Sequence, residues 1–97
     1  MIKIGKSILN PSKIICLGLN YKDHIEETNR EVPSEPLLFN KTLNCLIGHN
    51  DPIIYPKLLY NSRKYNRVDY EVELAVIIKK EGKKIPQEKA YEHIEGY

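Results

Sequence analysis

The sequence predicts an α+β chain in which β-structure dominates, and three observations predict it. Val68–Ile78 is rich in β-branched residues, and Tyr70, Val72, Leu74, Val76 and Ile78 recur on every second position. Lys13–Leu19 is a short apolar run of the kind that forms a buried strand. Asn20 followed by Asp23 opens a helix with an N-cap and a carboxylate in the first turn. Short helices are expected near residues 21–28 and 86–95.

In chain order, Met1–Ile8 alternates loosely and meets the turn signal Asn10-Pro11, which predicts a short edge strand and a turn. The buried strand over Lys13–Leu19 leads into the helix from Tyr21 to about Thr28. Residues 28–36 hold Pro33 and Pro36 among Asn29, Ser34 and several charges, a loop composition. Leu37-Leu38-Phe39 is a short apolar run, and Asn44–Ile47 is expected as another short strand. Gly48-His49-Asn50-Asp51-Pro52 reads as a turn that leaves His49 on the surface. Ile53-Ile54-Tyr55 reads as a strand stopped by Pro56. Lys79–Lys84 is a charged turn. Pro86 suits the first turn of a helix whose apolar stripe is Ala90, Tyr91 and Ile94, with His93 exposed and Gly96 closing it.

Composition excludes several classes. With 97 residues the chain holds at most one small domain, and 41% hydrophobic residues suffice for a core. The formal charge of +2 comes from interspersed acids and bases and argues neither for nor against a nucleic-acid partner. No apolar run approaches a membrane span, and Met1–Lys13 lacks the apolar core of a secretory signal. Cys16 and Cys45 lie far apart among apolar residues, as buried free thiols do. A cytoplasmic location is the expectation.

Two constellations carry chemistry. On a strand over Val68–Ile78, Glu71 and Glu73 share a face about 6.5–7 Å apart at Cα. Adjacent carboxylates repel and resist desolvation. Either the strand is an edge with its carboxylates in water, or a hard divalent cation sits between them. On the first helix, His24 and Glu27 stand three apart on one face. They are either an ordinary surface pair or a dyad in which the carboxylate orients the imidazole as a general base. A third feature is Lys57–Arg67, where four basic residues interleave with Tyr60 and Tyr65 and no acid. It reads as a solvated loop or hairpin tip, or as a surface that stacks on single-stranded nucleic acid.

The ordered set Cys16–Glu27, Pro36–Lys41, Ile53–Pro56, Val68–Ile78 and Ala90–Tyr97 resembles the first half of the catalytic domain of the fumarylacetoacetate hydrolase family. The resemblance covers nearly all of residues 13–97, after a short lead-in over residues 1–12. It implies a β-roll roughly twice this length, of which the chain would be a part. It also implies that Glu71 and Glu73 ligate Mg²⁺ or Mn²⁺ (or Ca²⁺), and that His24 and Glu27 form the family's His–Glu dyad. Lys41 matches a lysine of its Phe-x-Lys segment near the site. The implied partner is a small-molecule substrate, a 2-oxo acid or acylpyruvate, with no nucleic acid and no membrane. The implied reactions are C–C bond hydrolysis by an acylpyruvase-type hydrolase, oxaloacetate decarboxylation, or isomerisation.

One departure from the family pattern matters. The family's third metal ligand, an Asp, comes just after the Gly-Tyr that stands here at Gly96-Tyr97. Its catalytic lysine and Gly/Thr-rich segment follow later. The resemblance therefore implies either the N-terminal part of an enzyme, completed by a homodimer partner or a complementary C-terminal chain, or a truncated and inactive fragment. The loop over Lys57–Arg67 is long for the family.

Overall fold

A computed structural model describes residues 2–4, 7–62 and 64–97. The chain divides into two units, Met1–Ile54 and Tyr55–Tyr97.

The first unit opens with β1 (Ile2–Ile4) and β2 (Ser7–Leu9), paired antiparallel with Ile2 opposite Leu9. The single edge strand expected there is thus a hairpin, its Gly5-Lys6 connection lying outside the described residues. β3 (Ile14–Gly18) and β4 (Leu37–Lys41) form a second antiparallel pair, from Gly18 opposite Leu37 to Ile14 opposite Lys41. The apolar runs at 13–19 and 37–39 become strands as expected, but β3 is only half-buried and β4 is exposed along its length. Two strands cover neither face of one another, and a pair alone is marginally stable in water.

Between these strands lies α1 (Lys22–Glu27). Its N-cap is Tyr21, with φ −119° and ψ 127° and no side-chain cap, not the expected Asn20. Leu19 takes a left-handed φ of 52° at the turn leaving β3, and Asn20 falls between that turn and the helix. The C-terminus is closed more fully. Asn29 N–H donates to Glu26 O and Arg30 N–H to Ile25 O, both at 3.1 Å, with Asn29 at φ 50°. This is a Schellman closure with asparagine in the left-handed position that glycine usually fills. Thr28 Oγ1 adds a 2.7 Å bond to His24 O. Among residues 8–62 and 64–97 only Ile25 is buried, at 6% exposure.

After β4, Leu43–Cys45 is a single 3₁₀ turn, not the strand expected near Asn44–Ile47. Asn44 takes the Thr42 hydroxyl through its side chain, a local bond that favours a turn over an extended chain. The turn at 48–51 is present: Gly48 N–H donates to Asp51 Oδ2 at 2.7 Å, and Asp51 N–H returns to Gly48 O at 3.2 Å. His49 is exposed as expected. Both cysteines are free, yet Cys16 is half-buried and Cys45 exposed, because the surfaces around them are not covered.

Ile53–Tyr55, which spans the boundary between the units in sequence, forms no strand, and in the second unit Pro56 caps α2 (Lys57–Tyr60). The Tyr55 and Tyr60 rings stack at 5.1 Å between centroids and 14° between planes. Tyr55 Oη donates to Asn66 Oδ1, so the start and end of this segment are tied together. The segment is a closed loop with one helical turn, and its Arg63 lies outside the described residues.

The largest departure concerns Val68–Ile78. Only β5 (Ile77–Ile78) is strand, paired antiparallel with β6 (Ile94–Gly96) across an irregular register. Residues 68–76 are irregular, Val72 has φ 49°, and Tyr70 and Val72 are 83% and 86% exposed. Alternation makes a strand favourable only when a neighbour takes up its N–H and C=O groups, and β6 reaches only Ile77 and Ile78.

The second predicted helix is a 3₁₀ helix over Gln87–His93, with Pro86 as its N-cap and Gly96 inside β6, not closing a helix. His93, expected to be exposed, is half-buried. Its Nδ1 lies 2.9 Å from Lys80 O, and its backbone O accepts from Lys79 N–H at 2.9 Å. A Cβ at Gly82 would fall 2.6 Å from Ile85 Cδ1 and 2.8 Å from His93 Cε1, so the ring packs on bare backbone there.

Two outcomes follow from this packing. Ile25→Ala removes the only buried side chain among residues 8–54 and costs about 2 kcal/mol or more, read as a lower urea midpoint of the helical circular dichroism signal. Gly82→Ala displaces the His93 ring, and amide hydrogen exchange at Lys79 becomes at least tenfold faster than in the parent chain. Unchanged exchange at Lys79 would show that the ring tolerates the added methyl.

Candidate functional site

The sequence-predicted residues fall in both units. His24 and Glu27 sit on α1, whose three-residue spacing places them on one helical face, and both are exposed. The His24 backbone is fixed by the two Thr28 bonds to its carbonyl, N–H at 3.1 Å and Oγ1 at 2.7 Å. The imidazole thus stands on an anchored turn with its ring open to solvent. A dyad needs this combination: a backbone that does not drift and nitrogens that a substrate or water can reach.

Lys41 is the last residue of β4 and pairs with Ile14. The chain leaves for α1 from the other end of this sheet, at Gly18 and Leu19. The register therefore sets Lys41 at the opposite end of the hairpin from the turn that starts the helix. Its Nζ lies 5.9 Å from the Phe39 ring centroid, a cation–π contact along the same strand.

Glu71 and Glu73 lie in the second unit and are both exposed. The strand that was to set them side by side is absent there. The left-handed Val72 between them removes the alternation that would place both carboxylates on one face. Their donor chemistry still suits a hard cation, since ionised carboxylates supply only oxygen. Among the described residues no group of three or more His, Cys, Asp or Glu side chains is gathered for metal binding. Two carboxylates alone leave Mg²⁺ with most of its waters.

Nothing in the residues announces the left-handed Leu19 and Val72, since leucine and valine are among the residues least suited to that region. Asn29 and Asn50, also left-handed, carried a signal, because asparagine tolerates this conformation. The Thr28 cap was legible only as a hydroxyl at a helix end.

Comparison with known proteins places the chain. The family model described as fumarylacetoacetate (FAA) hydrolase C-terminal matches residues 13–97. The chain is 47% identical over 96 residues to a mitochondrial oxaloacetate tautomerase of Xenopus laevis, covering 99% of this chain and 28% of that protein. It is 49% identical over 87 residues to an uncharacterized protein of Archaeoglobus fulgidus, covering 90% of this chain and 32% of that one. A mitochondrial oxaloacetate tautomerase of Homo sapiens is 39% identical over 90 residues, covering 93% of this chain and 27% of that protein. The chain thus spans about a third or less of the length of these curated relatives. No solved structure matches it. No helix among the described residues is long and apolar enough to cross a membrane. The family match takes in all five segments on which the resemblance rests, and the chain belongs to the fumarylacetoacetate hydrolase family.

Proposed function

We propose that this chain is part of a divalent-metal-dependent enzyme acting on 2-oxo acids. The observation that carries the reading is the family match over residues 13–97, supported by relatives named as oxaloacetate tautomerases. The exposed dyad on the anchored end of α1 is consistent with it.

In this reading Glu71 and Glu73 hold Mg²⁺ or Mn²⁺, with Ca²⁺ as a substitute. When bound, the cation supplies Lewis-acid stabilisation to negative charge developing on the 2-oxo oxygen. His24 acts as the base, with its Nδ1 or Nε2 taking a proton from the carbon beside the oxo group or from water. Glu27 orients the imidazole and stabilises its charged form. Removal of the carbon-bound proton and its return elsewhere is isomerisation. Attack by the activated water on a second carbonyl is C–C hydrolysis, and loss of a carboxylate from the same electronic arrangement is decarboxylation. Lys41 is assigned a supporting electrostatic role in the completed protein, since here it stands at the end of the β3–β4 sheet away from α1.

The completed protein folds these residues into the family's β-roll, where Val68–Ile78 gains the strand neighbours it lacks. The exposure of Phe39, Leu38, Tyr70 and Val72 favours such completion, whether by a second copy or by a complementary C-terminal chain. A chain that exposes these side chains forgoes roughly 1.5–3 kcal/mol for each large one. The same exposure supports a second reading, in which these residues alone are catalytically inactive. A cytoplasmic location is kept with this proposal.

Two measurements test it. In the completed protein, Mn²⁺ raises the melting temperature, and Glu71→Ala or Glu73→Ala removes that rise; equal stabilisation of the variants rules out the carboxylate pair as ligands. His24→Ala lowers kcat for 2-oxo-acid turnover by about 10²–10⁴-fold, and Glu27→Gln lowers it less, with KM little changed. A KM effect without a kcat effect assigns the dyad to binding and not to proton transfer.

A further inference from the structure

The segment that runs from Tyr55 to Arg67 closes on itself. Tyr55 Oη donates to Asn66 Oδ1, the Tyr55 and Tyr60 rings stack at 5.1 Å, and Asn66 N–H donates to Ser62 O at 2.9 Å. Tyr65 N–H donates to Ser62 Oγ at 3.2 Å, which fixes the turn before Asn66. The loop is thus held by its own side chains, as compact functional surface loops are. No acid stands between Asp51 and Asp69, and Lys57, Lys64 and Arg67 are all exposed. The Tyr55–Asn66 bond brings Lys57 and Arg67 to the two feet of one loop. Lys64 is three residues from Arg67, at most about 11 Å along the chain. That is close to the Debye length of about 10 Å at 0.1 M salt, so these charges act on a partner together.

Apolar surface adjoins the charges. The single turn of α2 leaves Leu59 half-buried and Leu58 87% exposed. Tyr60 and Tyr65 are 60% and 59% exposed. Cations, tyrosines and a protruding leucine suit the surface of a lipid bilayer. There the aliphatic group enters the acyl boundary and the cations meet lipid phosphates. Single-stranded nucleic acid suits the loop less, because stacking needs open ring faces. One face of Tyr60 is taken by Tyr55, and Lys64 Nζ sits 5.1 Å over the Tyr65 ring. A base stack also leaves Leu58 in water.

We propose that this closed loop docks the protein on membrane surfaces that contain anionic phospholipid, with Leu58 inserted and Lys57, Lys64 and Arg67 against the headgroups. The loop lies between Ile53–Pro56 and Val68–Ile78, two of the segments that carry the family resemblance, and is itself long for the family. The contact is therefore an addition to the shared chemistry and does not rest on the 2-oxo-acid reading. The expectation of no membrane partner rests on the lack of an apolar run long enough to span one, and a peripheral contact needs no span. One leucine and a few cations make a reversible contact that salt weakens.

The test is flotation of the chain with vesicles of phosphatidylcholine alone and of phosphatidylcholine mixed with phosphatidylserine. At about 0.1 M salt the chain partitions onto the mixed vesicles about tenfold more than onto the neutral ones, and about 1 M salt removes the difference. Leu58→Asp lowers that partitioning about tenfold, as does Lys57→Gln combined with Lys64→Gln. Lys83→Gln combined with Lys84→Gln, the same charge change on another exposed turn of the same unit, lowers it less than about threefold. Leu58→Trp reports insertion directly, since the chain has no other tryptophan, and its emission shifts to the blue with the mixed vesicles only. Equal partitioning onto both vesicles, an unshifted emission, or an equal loss from the Lys83 and Lys84 changes overturns the proposal. So does an oligothymidylate that binds the chain, and loses affinity on Tyr65→Ala, while the vesicles stay bare; that result assigns the loop to single-stranded nucleic acid.

Discussion

An extended segment is stable as a strand only when another backbone takes up its N–H and C=O groups, and this constraint governs the whole chain. β3 finds β4, residue against residue from Gly18–Leu37 to Ile14–Lys41. The stretch with the strongest strand signal, Val68–Ile78, finds β6 only at its last two residues. The remainder is irregular, and with it goes the arrangement of Glu71 and Glu73 on a common face. Local propensity and pairing are separate requirements, and only the first was met there.

The helix α1 shows the contrary case. It satisfies its own backbone within a single segment and closes its end with Asn29, Arg30 and Thr28. It also holds the only buried side chain among residues 8–62 and 64–97. The spacing of the two side chains proposed as a dyad, His24 and Glu27, is therefore set within α1 itself. A carboxylate pair set by a strand, in contrast, needs the neighbours of that strand before it has a geometry.

This difference bears on how the family's chemistry is distributed along the chain. Groups whose spacing is set by helical hydrogen bonds are local devices. Groups whose spacing depends on a sheet become a site only with a complete sheet, and the relatives matched here are about three times as long as this chain. β3, β4 and residues 68–76 leave apolar side chains exposed, among them Ile15, Leu38, Tyr70 and Val72.

From residues alone, α1, the two strands of the 14–41 sheet, the turn at 48–51 and the identity of the acid and imidazole groups were all legible. Each rests on contacts between near neighbours in sequence or on a plain apolar run. What only tertiary structure decided was which extended segments become strands. Ile53–Tyr55 and residues 68–76 did not, and Ile94–Gly96 did, because pairing depends on partners that periodicity does not name. The left-handed turns at Leu19 and Val72 were likewise hidden, since nothing in an aliphatic side chain announces that its backbone will be forced there.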